Sequence, residues 1–153
     1  MIDLYLPTYR DLWFRQAMLS DQETMSYNHA WGGTVAFPEA RWAEWYDCWL
    51  CGDGKHYYRY VVDERGTFVG EIAYHYDEDY EDYVADVIIY ARYRGHGYGG
   101  QALDALCAAA KANGVERLLD DIAIDNPALG MFERRGWTEA YRTNEKIVLV
   151  KTL

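Results

Sequence analysis

Tyr93-Arg94-Gly95-His96-Gly97-Tyr98-Gly99-Gly100 lies between an apolar run, Tyr83 to Tyr90, and an amphipathic run, Gln101 to Ala112. Glycines at a strand-to-helix junction let the main chain turn tightly and approach a ligand. The first N–H groups of the helix then point outward with the positive end of its dipole. That combination suits a pyrophosphate. Gly95-x-Gly97-x-x-Gly100 also satisfies the dinucleotide fingerprint, with Asp120 and Asp121 about twenty residues on. A dinucleotide fold, however, needs several further βα units, and the 153-residue chain ends 53 residues after Gly100. The dinucleotide reading, and with it an oxidoreductase, fails on length.

Upstream of the turn the pattern is that of strands. From His56 the residues alternate, Tyr58, Tyr60 and Val62 on one face and Tyr57, Arg59 and Val61 on the other. Asp63-Glu64-Arg65-Gly66 supplies a turn, Thr67 to Tyr76 a second strand, and the acidic stretch Asp77 to Asp82 another turn before Tyr83 to Tyr90. An antiparallel meander follows. Before it, Tyr9 to Leu19 is amphipathic. Glu39 to Leu50, with Pro38 at its start, sets Trp42, Trp45, Tyr46 and Trp49 on one stripe. Trp31-Gly32-Gly33-Thr34 between these helices reads as a mobile loop. Downstream, the helix Gln101 to Ala112 stops at Asn113-Gly114, Leu118 to Ile124 is a strand, Pro127 opens a short helix, and Ile147 to Val150 belongs to a closing strand pair. The expected fold is α/β, one mixed sheet in which an antiparallel meander precedes a β-α-β-α unit, within a single domain over 1–153.

Composition narrows the function. A formal charge of −10 argues against nucleic acid as a partner, since binding there needs a basic surface. No window approaches the roughly eighteen apolar residues of a membrane span, and Met1 to Leu6 lacks the features of a signal peptide, so we expect no membrane partner and a cytoplasmic location. Three cysteines make a disulfide framework improbable. Cys48-x-x-Cys51 lies in the aromatic helical stripe with no second ligand pair at zinc spacing, so packing is expected of it and no metal. The acidic stretch Asp77 to Asp82 reads as a solvated hairpin tip that could also steer a cationic amine.

Arg94, Gly97 and Gly99 resemble the acetyl-CoA signature of the GNAT N-acetyltransferases, Arg/Gln-x-x-Gly-x-Gly/Ala. The strand Ala85-Asp86-Val87-Ile88-Ile89 precedes it. Asn126-Pro127-Ala128 and Phe132-Glu133-Arg134-Arg135-Gly136-Trp137 follow and look like the family's "N…LYEKLGF" segment. The resemblance implies acetyl-CoA as co-substrate and acetyl transfer to an amine on a small molecule or peptide. Val87, Ile88 and Ile89 would pair with the pantetheine arm. Gly95, His96, Gly97, Tyr98, Gly99 and Gly100 would form the turn that holds the pyrophosphate, with Arg94 adding charge and Asn126 and Phe132 lining the cofactor. It further implies a bulged third strand that splays from its neighbour, so that an N–H near Ile89 meets the thioester oxygen.

The sequence departs from that family at two catalytic positions. Ala85 stands where some members carry an acidic base, and Phe132 stands where a tyrosine often protonates the thiolate. Glu71 is therefore our first candidate for general base. Asp86, turned to the other sheet face by alternation, is a second, and Tyr141 is a candidate acid, beside Tyr83 or solvent. A catalytically silent acyl-CoA sensor is the rival reading. A homodimer through the aromatic N-terminal helices would need an exposed apolar patch.

Overall fold

A computed structural model describes residues 1–153. The seven strands are β1 Asp3–Tyr5, β2 His56–Val62, β3 Phe68–Asp77, β4 Asp82–Ile89, β5 Arg117–Ala123, β6 Thr138–Arg142 and β7 Lys146–Thr152. They form one sheet in the order β1-β2-β3-β4-β5-β7-β6, antiparallel except between β4 and β5. The helices are α1 Leu12–Ser20, α2 Trp42–Leu50, α3 Tyr98–Ala112 and α4 Leu129–Arg134. None is long and apolar enough to cross a membrane.

Period-two alternation divides the core between the two faces of the sheet. Val61, Ile72, Ala85 and Ile89 pack with Leu103 and Leu106 of α3 and Phe132 of α4. Tyr58, Tyr60, Ala73 and Ile88 pack with Leu12, Phe14 and Met18 of α1 and Trp42 of α2. Within the aromatic stripe only Trp42 is fully buried, while Trp45, Tyr46 and Trp49 cover the edge of that core. Two elements had no signal in the sequence: β1, which adds three residues against β2, and a 3-10 segment over Thr24–Trp31.

The third helix starts three residues earlier than its apolar periodicity indicates. Gly97, at φ +80, turns the chain straight into α3, so Gly99 and Gly100 are helical. Gly100 is buried beneath Arg135, whose Nε donates to its carbonyl at 3.1 Å. A β-carbon there would collide with the guanidinium, so this glycine admits a neighbouring side chain rather than a ligand. Cys48 and Cys51, expected to pack, are exposed at the end of α2 because they lie off the Trp42 face, and Cys107 is buried. No group of three or more metal-ligating side chains is assembled.

One buried ion pair pins α1 to the sheet. Arg15 Nη1 donates to both carboxylate oxygens of Glu71 at 2.7 Å, and the Tyr58 hydroxyl donates to the same carboxylate. The guanidinium lies 4.6 Å from the Trp45 ring centroid and 5.1 Å from that of Phe37. Glu71 is 1% exposed, so its charge depends on these partners. Burial, and then the Glu71 charge, push the Tyr58 hydroxyl well above its ordinary pKa. Removing one member of a buried pair strands the other's charge. Glu71→Ala is therefore expected to lower stability by about 3–5 kcal/mol in urea unfolding at pH 7. A loss below about 1 kcal/mol would mean that Arg15 reaches water instead.

Candidate active site

The site is built where two parallel strands part. β4 and β5 pair at Val84 and Leu119, while β5 is paired with β7 along its whole length, Arg117–Ala123, and follows that partner away. Register decides what is left open. The Tyr90 N–H donates to the Val69 carbonyl at 2.9 Å, and the β3–β4 register runs without a shift from Gly70↔Ile89 to Asp77↔Asp82. Antiparallel bonding alternates, so the main-chain groups of Asp86 and Ile88 face β3 and those of Val87 and Ile89 face the gap. The bulge expected in this strand is absent. The separation comes from β5 rather than from an extra residue in β4.

A cleft of about 870 Å³ runs through this gap. At one end Gly95, Gly97, Tyr98 and Gly99 present the start of α3, and Asn126, Met131 and Phe132 form the facing wall. Phe132 is 4% exposed and packs edge-on against Trp137 at 5.3 Å. Arg94 lines the cleft while its guanidinium donates to the Thr24 carbonyl at 2.8 Å and the Glu23 carbonyl at 3.3 Å. The Thr24 hydroxyl accepts from the Ala91 N–H at 2.9 Å. The turn is thus tied to the 3-10 segment that roofs the other end, where Tyr27, Asn28, His29 and Trp31 line the cleft. His29 Nε2 lies 3.1 Å from Asp125 across the mouth.

Of the residues expected at the cofactor, Val87, Ile88, Ile89, Arg94, Gly95, Gly97, Tyr98, Gly99, Asn126 and Phe132 line this cleft. Two do not. His96 is exposed at the tip of the turn, its ring stacked on Tyr98 at 5.6 Å, and Gly100 is covered by Arg135. Of the catalytic candidates, Asp86 lines the cleft, on the sheet face of Ile88 and opposite Ala85. Glu71 does not reach it, because Arg15 and Tyr58 hold its carboxylate in the core. Tyr141 stands on the edge strand β6, 48% exposed and outside the cleft. Tyr83 packs against Tyr74 and Tyr76 instead.

Four carboxylates line the cleft, Asp86, Asp120, Asp121 and Asp125, and the last two have a basic partner, Lys146 and His29. Asp121 accepts from the Tyr80 hydroxyl at 3.0 Å and lies 3.7 Å from Lys146 Nζ, so the acidic hairpin reaches over to this strand. Asp82, outside this cleft, is paired with Arg117. Asp86 and Asp120 have no such partner among the side chains. Asp86 is exposed to the space of the cleft yet enclosed by its walls. This enclosure, and next the Glu71 charge, raise its pKa to about 7 against the pull of Arg15. Asp120 is 8% exposed, and burial followed by the charges of Asp86 and Asp121 push it well above the carboxylate range. Burial, and then the charges of Asp86, Glu71 and Asp120, raise the Tyr27 hydroxyl. His75, also in the lining, is lowered by burial. Asp120 and Tyr27 were missed as site residues. An Asp-Asp pair inside an otherwise apolar strand was the available signal for Asp120, while Tyr27 lies in a segment without periodicity.

Two carboxyls without cationic side-chain partners, both raised by burial, and unpaired strand amides along one cleft can accept a proton, donate one and stabilise an oxyanion. Comparison with known proteins agrees in fold. The spermidine N-acetyltransferase from Vibrio cholerae, in complex with CoA and spermine, superposes with a TM-score of 0.82 at 17% identity over 99% of this chain and 95% of that one. An N-acetyltransferase from Staphylococcus aureus Mu50 gives 0.76 at 15% identity, over 99% and 98% of the two chains. An acetyltransferase from Thermus thermophilus gives 0.75 at 19% identity, over 100% and 97%. The sequences of curated proteins give no match. The model of the acetyltransferase (GNAT) family matches residues 4–137, most of the chain and all of the cleft-forming elements up to Trp137, and the chain belongs to that family.

Proposed function

We propose that residues 1–153 act as one domain that transfers the acetyl group of acetyl-CoA directly to a primary amine of a cationic small molecule or peptide. The observation that carries this reading is the continuous cleft through the strand gap. It joins a glycine-rich helix start to an acidic chamber, so donor and acceptor can meet at Val87 and Ile89. The residues present fit acetyl-CoA. The N–H groups at the start of α3, with Gly97 as its positive-φ cap, suit the pyrophosphate, and the unpaired groups of Val87 and Ile89 suit the amides of the pantetheine arm. The thioester supplies the activated acetyl group. The Ile89 N–H, fixed by its strand, is aimed to stabilise negative charge developing on the thioester oxygen. Asp86 takes the proton from the incoming ammonium, and a pKa near 7 lets it do so at neutral pH.

Carboxylates at the acceptor end support a cationic amine. Spermidine and spermine head the panel to be screened because the Vibrio neighbour is described with spermine. The silent-sensor reading draws on Phe132, which has no proton to give, and it predicts acetyl-CoA binding without thiol release.

Isothermal titration is expected to give a micromolar Kd for acetyl-CoA and no heat with NADH. Gly97→Trp, which forces a bulky L-residue to φ +80 at the helix start, is expected to abolish acetyl-CoA binding. Absence of acetyl-CoA binding in the unaltered protein would defeat the proposal. With an accepted amine, kcat is expected to rise with pH through an apparent pKa near 7, because Asp86 acts when ionised. Asp86→Asn should remove that limb and lower kcat by about 100-fold or more. Linkage gives a second readout of opposite sign. A carboxyl whose folded pKa is raised binds more protons folded than unfolded, so its ionisation costs stability between the ordinary carboxylate pKa and about pH 7. Asp86→Asn should therefore raise Tm at pH 8, and an unchanged Tm would show that the carboxylate is freely solvated.

A further inference from the structure

When the acetyl group leaves coenzyme A, a proton must reach the sulfur. On the cofactor side the obvious donor is missing. Phe132 carries none, Tyr141 and Tyr83 stand outside the cleft, and the two tyrosines that line it on this side belong to the glycine turn, Tyr98 stacked on His96 and Tyr93 edge-on to Tyr90.

Asp120 is placed where a donor is needed. It follows Leu119, whose pairing with Val84 is the point from which β4 and β5 diverge, so it flanks the gap itself. By alternation it shares a face with Leu118 and Ile122, and both belong to the core beneath α3 and α4 together with Phe132. Its carboxyl is therefore on the side of the sheet from which the pantetheine arm would enter, whereas Asp86 shares the opposite face with Ile88. Asp120 lines the cleft, is 8% exposed and bonds no side chain, while its neighbour Asp121 is occupied by Tyr80 and Lys146.

We propose that Asp120 is the acid that protonates the coenzyme A thiolate as it leaves, a role that rests on the acetyl-transfer reading above. The titratable groups around it are Asp86 of β4, Asp121 beside it and Tyr27 of the roof. Burial and the Asp86 charge push the Asp120 carboxyl upward and so favour its protonated form, the form in which it can act as an acid. The step balances. Asp86 takes one proton from the ammonium, and the amine lone pair forms the carbon–nitrogen bond. The carbon–sulfur bond breaks with its electron pair on sulfur, and Asp120 gives its proton to that sulfur. The second amine proton leaves to solvent as the amide becomes neutral, Asp86 returns its proton to solvent and Asp120 regains one from it, so one proton is released per acetyl transferred.

The test compares Asp120→Asn, Asp120→Glu and Tyr27→Phe with the unaltered enzyme, each checked for Tm and for acetyl-CoA binding by titration. Asp120→Asn is expected to bind acetyl-CoA as before, to lose about 100-fold in kcat and to lose the alkaline fall in kcat that titration of the acid produces. Asp120→Glu, which restores an acid, should regain about tenfold over the asparagine variant. Three outcomes would overturn the assignment: Asp120→Asn keeping most of kcat or its alkaline limb, Asp120→Asn losing acetyl-CoA binding, or Tyr27→Phe abolishing the alkaline limb in its place. Failure of the unaltered protein to release thiol with any amine would instead overturn the acetyl-transfer reading on which this one stands.

Discussion

Two parallel strands that pair and then separate leave main-chain N–H and C=O groups facing a gap, and such groups are costly to bury without partners. Here those groups belong to Val87 and Ile89, and nothing in the chain fills the gap beside them. The surrounding architecture is arranged about that gap. The opening of α3 delivers a turn of N–H groups to one end, and the 3-10 segment Thr24–Trp31 closes the other. Arg94 joins the two by donating to carbonyls of the roof. A ligand with amide groups of its own would satisfy the hydrogen-bonding demand that the strands leave open.

Desolvation governs the chemistry available in the cleft. Carboxyls close to one another have different fates. Glu71 has a buried arginine and a tyrosine, which hold it in the core and away from the cleft. Asp121 has a lysine and a tyrosine. Asp86 and Asp120 have neither, and desolvation shifts both upward. Paired carboxyls in unlike surroundings are able to divide the tasks of base and acid. The departures at Ala85 and Phe132, which read as losses in the sequence, stand beside two carboxyls on opposite faces of the sheet that can take over both roles.

Much of the architecture was legible because local chemistry settles it. Alternation over His56 to Val62 and the turn residues Asp63 to Gly66 specify a hairpin whatever lies around them. The glycine turn between a strand and an amphipathic helix is equally explicit. What misled was packing at a distance. Gly99 and Gly100 looked like turn residues, yet α3 begins at Tyr98 after the positive-φ Gly97, and the Arg135 guanidinium lies over Gly100 inside the helix. A bulge was expected to splay the third strand, yet β4 keeps its register and β5 leaves it for β7.

Element order, the pyrophosphate-suited turn and the family's motif can all be read along the chain, because periodicity, positive-φ glycines and helix ends act over a few residues. Which carboxyls face the cleft, and in what protonation state, is set by folding alone. Burial and charge neighbourhood depend on residues far apart in the chain: Glu71 is silenced by Arg15, 56 positions away, and Asp121 is held by Tyr80, 41 positions away. Asp120, left without a partner in the gap, follows from where β5 and β7 run together, and no local pattern records that.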